Sequence, residues 1–119
     1  MTFIKEFSEI RITDIPKVGG KNAGLGELFS QLTSKGIKVP PVFAVVSEGY
    51  FEFLNYNKFI PELTSILSQL NIKTFENLSD IGSRARQLIL SGKFPEQLKN
   101  EILQAYSKLN TSSKNPKTF

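Results

Sequence analysis

The sequence predicts a helix-rich fold of the α/β (α+β) class, with about five helices and a small sheet of two to three strands. Three observations lead to this prediction. Hydrophobic residues make up 39% of the 119 residues, apolar residues recur at helical spacing in several segments, and two short apolar runs have the character of strands. A chain of this length forms one domain or part of one. We therefore expect residues 1–119 to be a single domain fragment.

The first third of the chain is expected to contain a strand, a loop and a helix. Residues 3–7 are rich in Phe and predict a short strand. A helix is predicted from Asn22 to about Lys35, with Gly36 as its C-terminal cap. One apolar face of this helix follows the i, i+3, i+4, i+7 spacing and consists of Leu25, Leu28, Phe29 and Leu32.

A second strand is predicted at residues 42–46, a β-branched apolar run typical of a strand buried on both faces. Ser47 is a good N-cap for the helix that follows, which should end near residues 55–57. Because isolated two-stranded sheets are marginally stable in water, we expect further strand partners. Residues 118–119 look like the beginning of one.

Three more helices are predicted in the remainder. Pro61 suits the first turn of one helix. Thr74 is expected to cap a longer helix that Gly92 closes, and Pro95 opens the last one. Residues 110–117 are then expected to form a polar loop that leads into a truncated strand.

The composition excludes several kinds of chemistry. The chain has no Cys and no His, so thiolate metal sites, cysteine nucleophiles, imidazole bases and phosphohistidine cannot occur within it. The net charge of +4 does not indicate a nucleic-acid surface, because no acidic residue follows Glu101 whereas three lysines do. The longest apolar run, residues 42–46, is far too short for a membrane span. With no apolar leader segment at the N-terminus, a cytoplasmic location is expected.

One motif indicates a binding site: Gly19-Gly20-Lys21, directly before the first predicted helix. Unpaired N–H groups and the positive dipole end favour anions at a helix N-terminus. Gly lets a phosphate approach the backbone closely, and a Lys ammonium adds a point charge. The motif is not a Walker A loop, because Asn22 follows the Lys and Ile15 stands where the first Gly belongs. The alternative is a simple turn with a solvated Lys21.

Several other polar and aromatic residues have simpler interpretations. Arg84 and Arg86 point to different helix faces, and solvent exposure or an ion pair with Asp80 is favoured over phosphate binding. Glu48 and Glu52 are expected on a solvated face. The cluster of apolar and aromatic residues around them could stack on an adenine, but core packing is favoured; it consists of Tyr50, Phe51, Phe53 and Leu54.

The motif and its surroundings resemble the phosphoenolpyruvate synthase and pyruvate phosphate dikinase family. That family opens its ATP-binding domain with a Val-Gly-Gly-Lys-Asn-Ala-x-Leu-Gly-Glu pattern, in which x is variable. Residues 18–27 match every fixed position of this pattern. Further similar segments follow in the same order, at residues 36–45, 48–54, 86–89 and 95–109. Two departures are Val42, where the family usually has Gly, and Gly24, where Ser is common.

The resemblance implies the N-terminal portion of an ATP-grasp-type nucleotide-binding domain. It implies a parent enzyme that converts pyruvate, ATP and water to phosphoenolpyruvate, AMP and phosphate with Mg²⁺. Lys21 is then the residue that contacts ATP phosphates, supported by Gly19 and Gly20. The second ATP subdomain, the phosphohistidine domain and the pyruvate-binding barrel would lie in the rest of the parent chain. No catalytic residue and no metal ligand is expected among these 119 residues.

Two alternatives stay open at this stage. A related phosphotransferase that phosphorylates rifampicin shares the same N-terminal architecture, although Asn22-Ala23 after the Lys favours the synthase. A non-catalytic nucleotide-binding or interaction domain would keep the fold without turnover. The fragment alone is expected to be inactive.

Overall fold

The computed structural model describes residues 2–38, 40 and 42–112. Within them six α-helices, two strands and two short 3₁₀ turns follow one another. The strands are β1 (Ile4–Glu6) and β2 (Phe43–Val45), and the 3₁₀ turns are Phe7–Glu9 and Ile12–Asp14. The helices are α1 (Ile15–Val18), α2 (Gly20–Ser34), α3 (Ser47–Tyr56), α4 (Ile60–Ser68), α5 (Leu78–Leu90) and α6 (Glu96–Ser112). The expected helix-rich α+β class is confirmed.

The two strands form an antiparallel pair. Lys5 lies opposite Ala44 in the register. The ladder continues beyond the strands, because the Val46 N–H donates to the Phe3 carbonyl at 2.8 Å. The sheet has two strands in the part of the chain that is described, and residues 118–119, expected to begin another strand, lie outside that part.

The chain divides into two compact units, and the first comprises Met1–Tyr50 and Glu96–Phe119. The α6 helix is held to β1 at two points. The Phe3 N–H donates to Glu101 Oε1 at 2.7 Å, and Lys108 Nζ donates to Glu6 Oε1 at 2.6 Å. The buried apolar residues of this unit are Phe3, Phe7, Ile10, Val18, Ala23, Ala44, Val46 and Leu98.

The buried face of α2 differs from the predicted apolar face. Ala23 and Gly26 are the buried residues of this helix, whereas Leu25 and Leu28 are 41% and 51% exposed. Gly26 lies directly against the buried Ile10, so close that a Cβ on Gly26 would be 2.5 Å from the Ile10 Cβ. Small residues therefore allow close packing on the first 3₁₀ turn, and the leucine face points away from it. The apolar face predicted from the spacing is therefore only partly covered: Leu25 and Leu28 are exposed, whereas Phe29 and Leu32 are half-buried.

The second unit is Phe51–Pro95, in which α4 packs against α5. Phe53 is buried and lies between two other rings, with centroid distances of 6.0 Å to Phe59 and 5.6 Å to Phe94. Edge-to-face and tilted ring pairs at these distances are favourable. The other buried apolar residues of this unit are Leu54, Ile66 and Ile81.

Two helix boundaries differ from the predicted ones. The helix expected to begin at Thr74 begins at Leu78, because Phe75 has a φ of 55° and cannot continue a right-handed helix. The last helix continues through Ser112, three residues into the segment expected to be a loop. The rest of that expected loop, residues 113–117, lies outside the described part.

Candidate functional site

The Gly19-Gly20 pair separates two helices. The Gly19 N–H donates to the Ile15 carbonyl at 2.8 Å and closes α1, while the Gly19 carbonyl accepts from the Ala23 N–H at 3.0 Å and opens α2. Gly19 has φ 84° and ψ 161°, a conformation that side-chain-bearing residues rarely adopt. The helix therefore begins at Gly20, two residues earlier than predicted, and Lys21 lies within its first turn.

The start of α2 is open to solvent. Cβ atoms placed on Gly19 or Gly20 would meet no atom within 4 Å, and Lys21 is exposed. Gly19, the N-cap, supplies no side-chain oxygen to the first N–H groups of the helix. Those N–H groups have no intrahelical acceptor, so an external anion can take that place.

Asn22, which was predicted to be the first residue of the helix, bonds to the preceding helix. Its Nδ2 donates to the Val18 carbonyl at 3.0 Å, so its side chain spans the junction between α1 and α2. Ser47, at the start of α3, donates from Oγ to the Pro16 carbonyl at 3.4 Å. Both contacts hold α1 in place next to the open N-terminus of α2. In the sequence, the contact between Asn22 and Val18 was indicated only by the position of an Asn directly after Gly-Gly-Lys.

The chain before α1 is ordered by a carboxylate. Asp14 Oδ2 accepts the Arg11 N–H at 2.9 Å and pairs with Lys5 Nζ at 3.4 Å. The Arg11 N–H contributes most to lowering the pKa of Asp14 below its ordinary value of 3.8, and Lys5 lowers the pKa further. The 3₁₀ turn that leads into the Gly-Gly-Lys junction is thereby tied to β1.

The two arginines singled out from the sequence lie on α5, in the second unit, whereas Lys21 lies in the first. Arg84 Nη1 is 3.8 Å from Asp80 Oδ2 and donates to Gln69 Oε1 at 3.1 Å. The expected ion pair with Asp80 is therefore confirmed. Arg86 is exposed, with its Nη1 close to Gly82.

The acidic and aromatic residues of α3 divide between surface and core. Phe53 is buried whereas Phe51 is 54% exposed, so the expectation of core packing is confirmed only for part of the cluster. Glu52 is exposed, as expected. Glu48 is only partly exposed, and its Oε2 is buried without a hydrogen-bond partner among the described residues. The expectation of a solvated carboxylate was wrong for Glu48.

Two of the cavities in the described part of the chain are large enough to consider as binding sites. The one beside β1 and α6 has a volume of about 110 Å³ and includes Phe7, Phe43 and Ala105 in its lining. Ligand pockets usually measure about 300–1,000 Å³, so this cavity is too small for a nucleotide. The other, about 500 Å³, lies along α4 and α5 and contains Arg84 with its partner Gln69. Neither is lined by Lys21.

The described residues offer neither a metal-binding cluster nor a membrane-spanning helix. No group of three or more His, Cys, Asp or Glu side chains there could hold a metal ion. No helix among them is long and apolar enough to cross a membrane.

Comparison with known proteins places the Gly-Gly-Lys junction in a family. Residues 15–119 match the model of the pyruvate phosphate dikinase AMP/ATP-binding domain. The chain is 44% identical over 103 residues to a phosphoenolpyruvate synthase of Neisseria meningitidis, an alignment that covers 87% of this chain and 13% of the relative. It is 39% identical over 106 residues to that of Aquifex aeolicus, covering 89% and 12%.

A third relative, the phosphoenolpyruvate synthase of Escherichia coli, is 30% identical over 109 residues, covering 92% of this chain and 14% of its own length. The chain thus spans only about one eighth of the curated relatives that it matches. The family match begins at Ile15, covers the whole of α1 and α2, and extends over most of the chain. A Gly-Gly-Lys helix start inside a match of this extent makes the chain a member of the pyruvate phosphate dikinase AMP/ATP-binding domain family.

Proposed function

We propose that this chain is the N-terminal part of the ATP-binding domain of a cytoplasmic phosphoenolpyruvate synthase, a pyruvate, water dikinase. The observation that carries the proposal is the open Gly19-Gly20-Lys21 start of α2 within a chain that belongs to an AMP/ATP-binding family. Relatives named phosphoenolpyruvate synthase support the choice of reaction. The whole protein would convert pyruvate, ATP and water to phosphoenolpyruvate, AMP and phosphate.

Lys21 and the first N–H groups of α2 would bind the phosphates of ATP. The ammonium supplies a point charge, and the N–H groups supply directed donors at the positive end of the helix dipole. Because both glycines leave open space beside the backbone, a phosphate oxygen can come within hydrogen-bond distance of these donors. Asn22 and Ser47 would act only as positioning residues, since they bond to backbone carbonyls of α1.

The remaining chemistry would belong to other parts of the protein. The chain contains no His, so the phosphohistidine intermediate would form outside residues 1–119. Mg²⁺ would accompany ATP, but the described residues offer no cluster of three candidate ligands, and we assign them no step that involves the metal. Without the phosphohistidine the 119 residues alone would be inactive. They would also bind ATP weakly, because they would supply only part of the ATP site.

Substitution of Lys21 in the full-length protein tests this proposal. Lys21→Gln should lower the rate of ATP-dependent enzyme phosphorylation about 10- to 100-fold, because a hydrogen bond to a charged group contributes about 1.5–3 kcal/mol. Lys35→Gln is the matched control, since it removes the same charge about 21 Å further along the helix axis. The rate would be measured as the transfer of label to the enzyme from ATP that is labelled at the β- or the γ-phosphate. Equal rates in the two variants would remove Lys21 from the site.

A titration of the isolated chain tests the second part of the proposal. Isothermal calorimetry of residues 1–119 with ATP should give no micromolar binding, because half of a site cannot offset the cost of association. Micromolar affinity would contradict the assignment of essential ATP contacts to the rest of the protein.

A further inference from the structure

The larger cavity, here named the α4–α5 groove, has the dimensions of a small-molecule site. Its volume is about 500 Å³, and small-molecule pockets usually measure about 300–1,000 Å³. Both of its walls belong to the same compact unit, Phe51–Pro95. The side chains that matter for binding come from the facing sides of the two helices and are Glu62, Ile66, Gln69, Arg84, Gln87 and Leu88.

Arg84 is held in position at one end of the groove. Its Nη1 donates to Gln69 Oε1 at 3.1 Å, and Gln69 is itself fixed because its Nε2 donates to the Ser65 carbonyl at 3.3 Å. Asp80 Oδ2 is 3.8 Å from the same Nη1, whereas a charge-assisted hydrogen bond measures about 2.7–2.9 Å. Within the described residues both partners of Arg84 lie at Nη1. The edge formed by Nε and Nη2 therefore keeps two parallel donors, which match the two oxygens of a carboxylate.

The opposite end of the groove carries the opposite charge. Glu62 lies about two helical turns before Gln69, or about 10 Å along the axis of α4. It is exposed, and its carboxylate has no hydrogen-bond or ion-pair partner among the described residues. Between the two ends the lining is apolar, because it includes the buried Ile66 and the half-buried Leu88. The groove thus has a cationic end, an apolar middle and an anionic end.

We propose that the α4–α5 groove binds a small zwitterion, a free molecule with a carboxylate and an ammonium group joined by a short apolar chain. The carboxylate pairs with Arg84 and the ammonium with Glu62, while the chain lies over Ile66. Hydrogen bonds of about 2.9 Å at both ends, subtracted from the 10 Å between the ends, leave about 4 Å between the ligand's charged groups. An amino acid with its amino group on the γ-carbon has about this separation. The proposal goes beyond the proposed function, because it involves neither ATP nor Lys21.

The charge at Glu62 decides between this ligand and other anions. A phosphate or a dicarboxylate would also pair with Arg84, but it would bring a second negative charge towards the Glu62 carboxylate. Repulsion of this kind lowers the affinity for the wrong ligand. A monocarboxylate without an amino group avoids the repulsion but leaves Glu62 without a partner. The zwitterion is therefore expected to bind more tightly than an anion or a cation of the same length.

Titration of the full-length protein with three related probes tests the proposal. The probes are 4-aminobutanoate, butanoate and butylamine, and the δ1-methyl NMR signal of Ile66 reports occupation of the groove. We expect a saturable shift with 4-aminobutanoate and an affinity about tenfold lower for each of the other two, since each lacks one charged hydrogen bond. The absence of a saturable shift, or equal affinity for 4-aminobutanoate and either analogue, would overturn the proposal.

Substitution of Arg84 tests the carboxylate end. Arg84→Gln should weaken 4-aminobutanoate binding about tenfold. Arg86→Gln is the matched control, because it removes the same charge from an exposed position of the same helix that does not line the groove. Its affinity should equal that of the wild type. An equal loss in both variants would show a general effect of charge and would overturn the assignment of Arg84.

Substitution of Glu62 tests the ammonium end and does not depend on how Arg84→Gln folds. Glu62→Gln should weaken 4-aminobutanoate binding about tenfold but should leave butanoate binding unchanged or slightly stronger. The difference between the two probes in one variant cannot come from loss of folding, which would weaken both. A parallel loss for both probes, or no loss for either, would contradict the pairing of Glu62 with the ammonium group.

Discussion

The side chain of Ile10, which is fully buried, packs directly on the backbone of Gly26 in α2. A Cβ added to Gly26 would lie 2.5 Å from both Cβ and Cγ2 of Ile10 and 2.9 Å from its carbonyl oxygen. No real Cβ is found so close to another heavy atom, so any side chain at position 26 would push the helix away from the first 3₁₀ turn. The same helix carries the candidate phosphate site at its N-terminus, which begins at Gly20.

Substitution of this glycine should therefore destabilise the protein. Gly26→Ala is expected to lower the free energy of unfolding by about 1–3 kcal/mol through overpacking. Gly24→Ala, in the same helix, is the matched control. A Cβ there meets nothing within 4 Å, so the gain in helix propensity should raise stability by about 0.5–1 kcal/mol. Urea unfolding of both variants measures the difference, and a change of the same sign in both would contradict the packing argument.

The junction between α1 and α2 should be sensitive to Gly19 but not to Gly20. Both positions are sterically open, but only Gly19 has a positive φ, of 84°. Gly19→Ala should cost about 1–3 kcal/mol, because the backbone conformation of Gly19 is one that residues with a Cβ rarely adopt, whereas Gly20→Ala should be neutral or slightly stabilising. Thermal unfolding compares them. If Gly20→Ala weakens ATP binding in the full-length protein while its melting temperature is unchanged, close approach of a phosphate to the backbone is supported.

Asn57 links the end of α3 to the segment before α6. Its Nδ2 donates to the carbonyls of Phe53 at 2.8 Å and Lys93 at 2.9 Å, and its Oδ1 accepts the Lys93 N–H at 2.9 Å. Asn57→Ala should lower the free energy of unfolding by about 1–3 kcal/mol, because backbone groups lose their partners. Asn55→Ala, at an exposed position of the same helix, serves as the comparison. Equal stability of the two variants in chemical denaturation would argue against a structural role for the Asn57 amide.

The stability contributed by Asp14 should depend on pH. The pKa of Asp14 is lowered in the folded protein, first by the Arg11 N–H and then by Lys5. A lowered pKa stabilises the fold above the ordinary value of 3.8, and this contribution is lost as the pH falls through the folded-state pKa.

Asp14→Asn keeps an acceptor for the Arg11 N–H but loses the ionic partner of Lys5. Its melting temperature should be below that of the wild type at pH 7, and the gap should narrow below pH 3.8. Thermal unfolding by circular dichroism across this range measures the gap. A gap that stays constant with pH would contradict a contribution from the charge.

The helices and their limits depend largely on local signals, which explains why most could be predicted. Pro95 directly precedes α6, and Gly36, with φ 80°, lies after α2 as a C-terminal cap should. The loop of residues 71–77, between α4 and α5, could not be predicted in this way. Thr74 looks like an N-cap, but the side chains of Asn71 and Asn77 bond to the backbone and delay the helix to Leu78.

The candidate site was also visible in the sequence. Gly-Gly-Lys before an amphipathic segment indicates a helix N-terminus that can bind an anion, and the structure starts α2 at Gly20. What the pattern could not supply was the conformation of Gly19 and the contact from Asn22 to the Val18 carbonyl. Both depend on α1, a four-residue helix too short to leave a periodic signal.

The kinds of element, the Gly-Gly-Lys motif at the start of α2 and the absence of His and Cys chemistry are evident from the sequence alone. Those features follow from composition and from interactions between residues close together in the chain. Which face of α2 is buried depends instead on packing between elements that are distant in the sequence. Leucine spacing favoured Leu25 and Leu28, yet Ala23 and Gly26 face Ile10 because only small residues allow the helix backbone to approach the 3₁₀ turn so closely. The buried face of α2 is thus set by close packing against Ile10 rather than by the hydrophobicity of its side chains. Ile10 lies outside α2, so the periodicity of that helix does not reveal the contact.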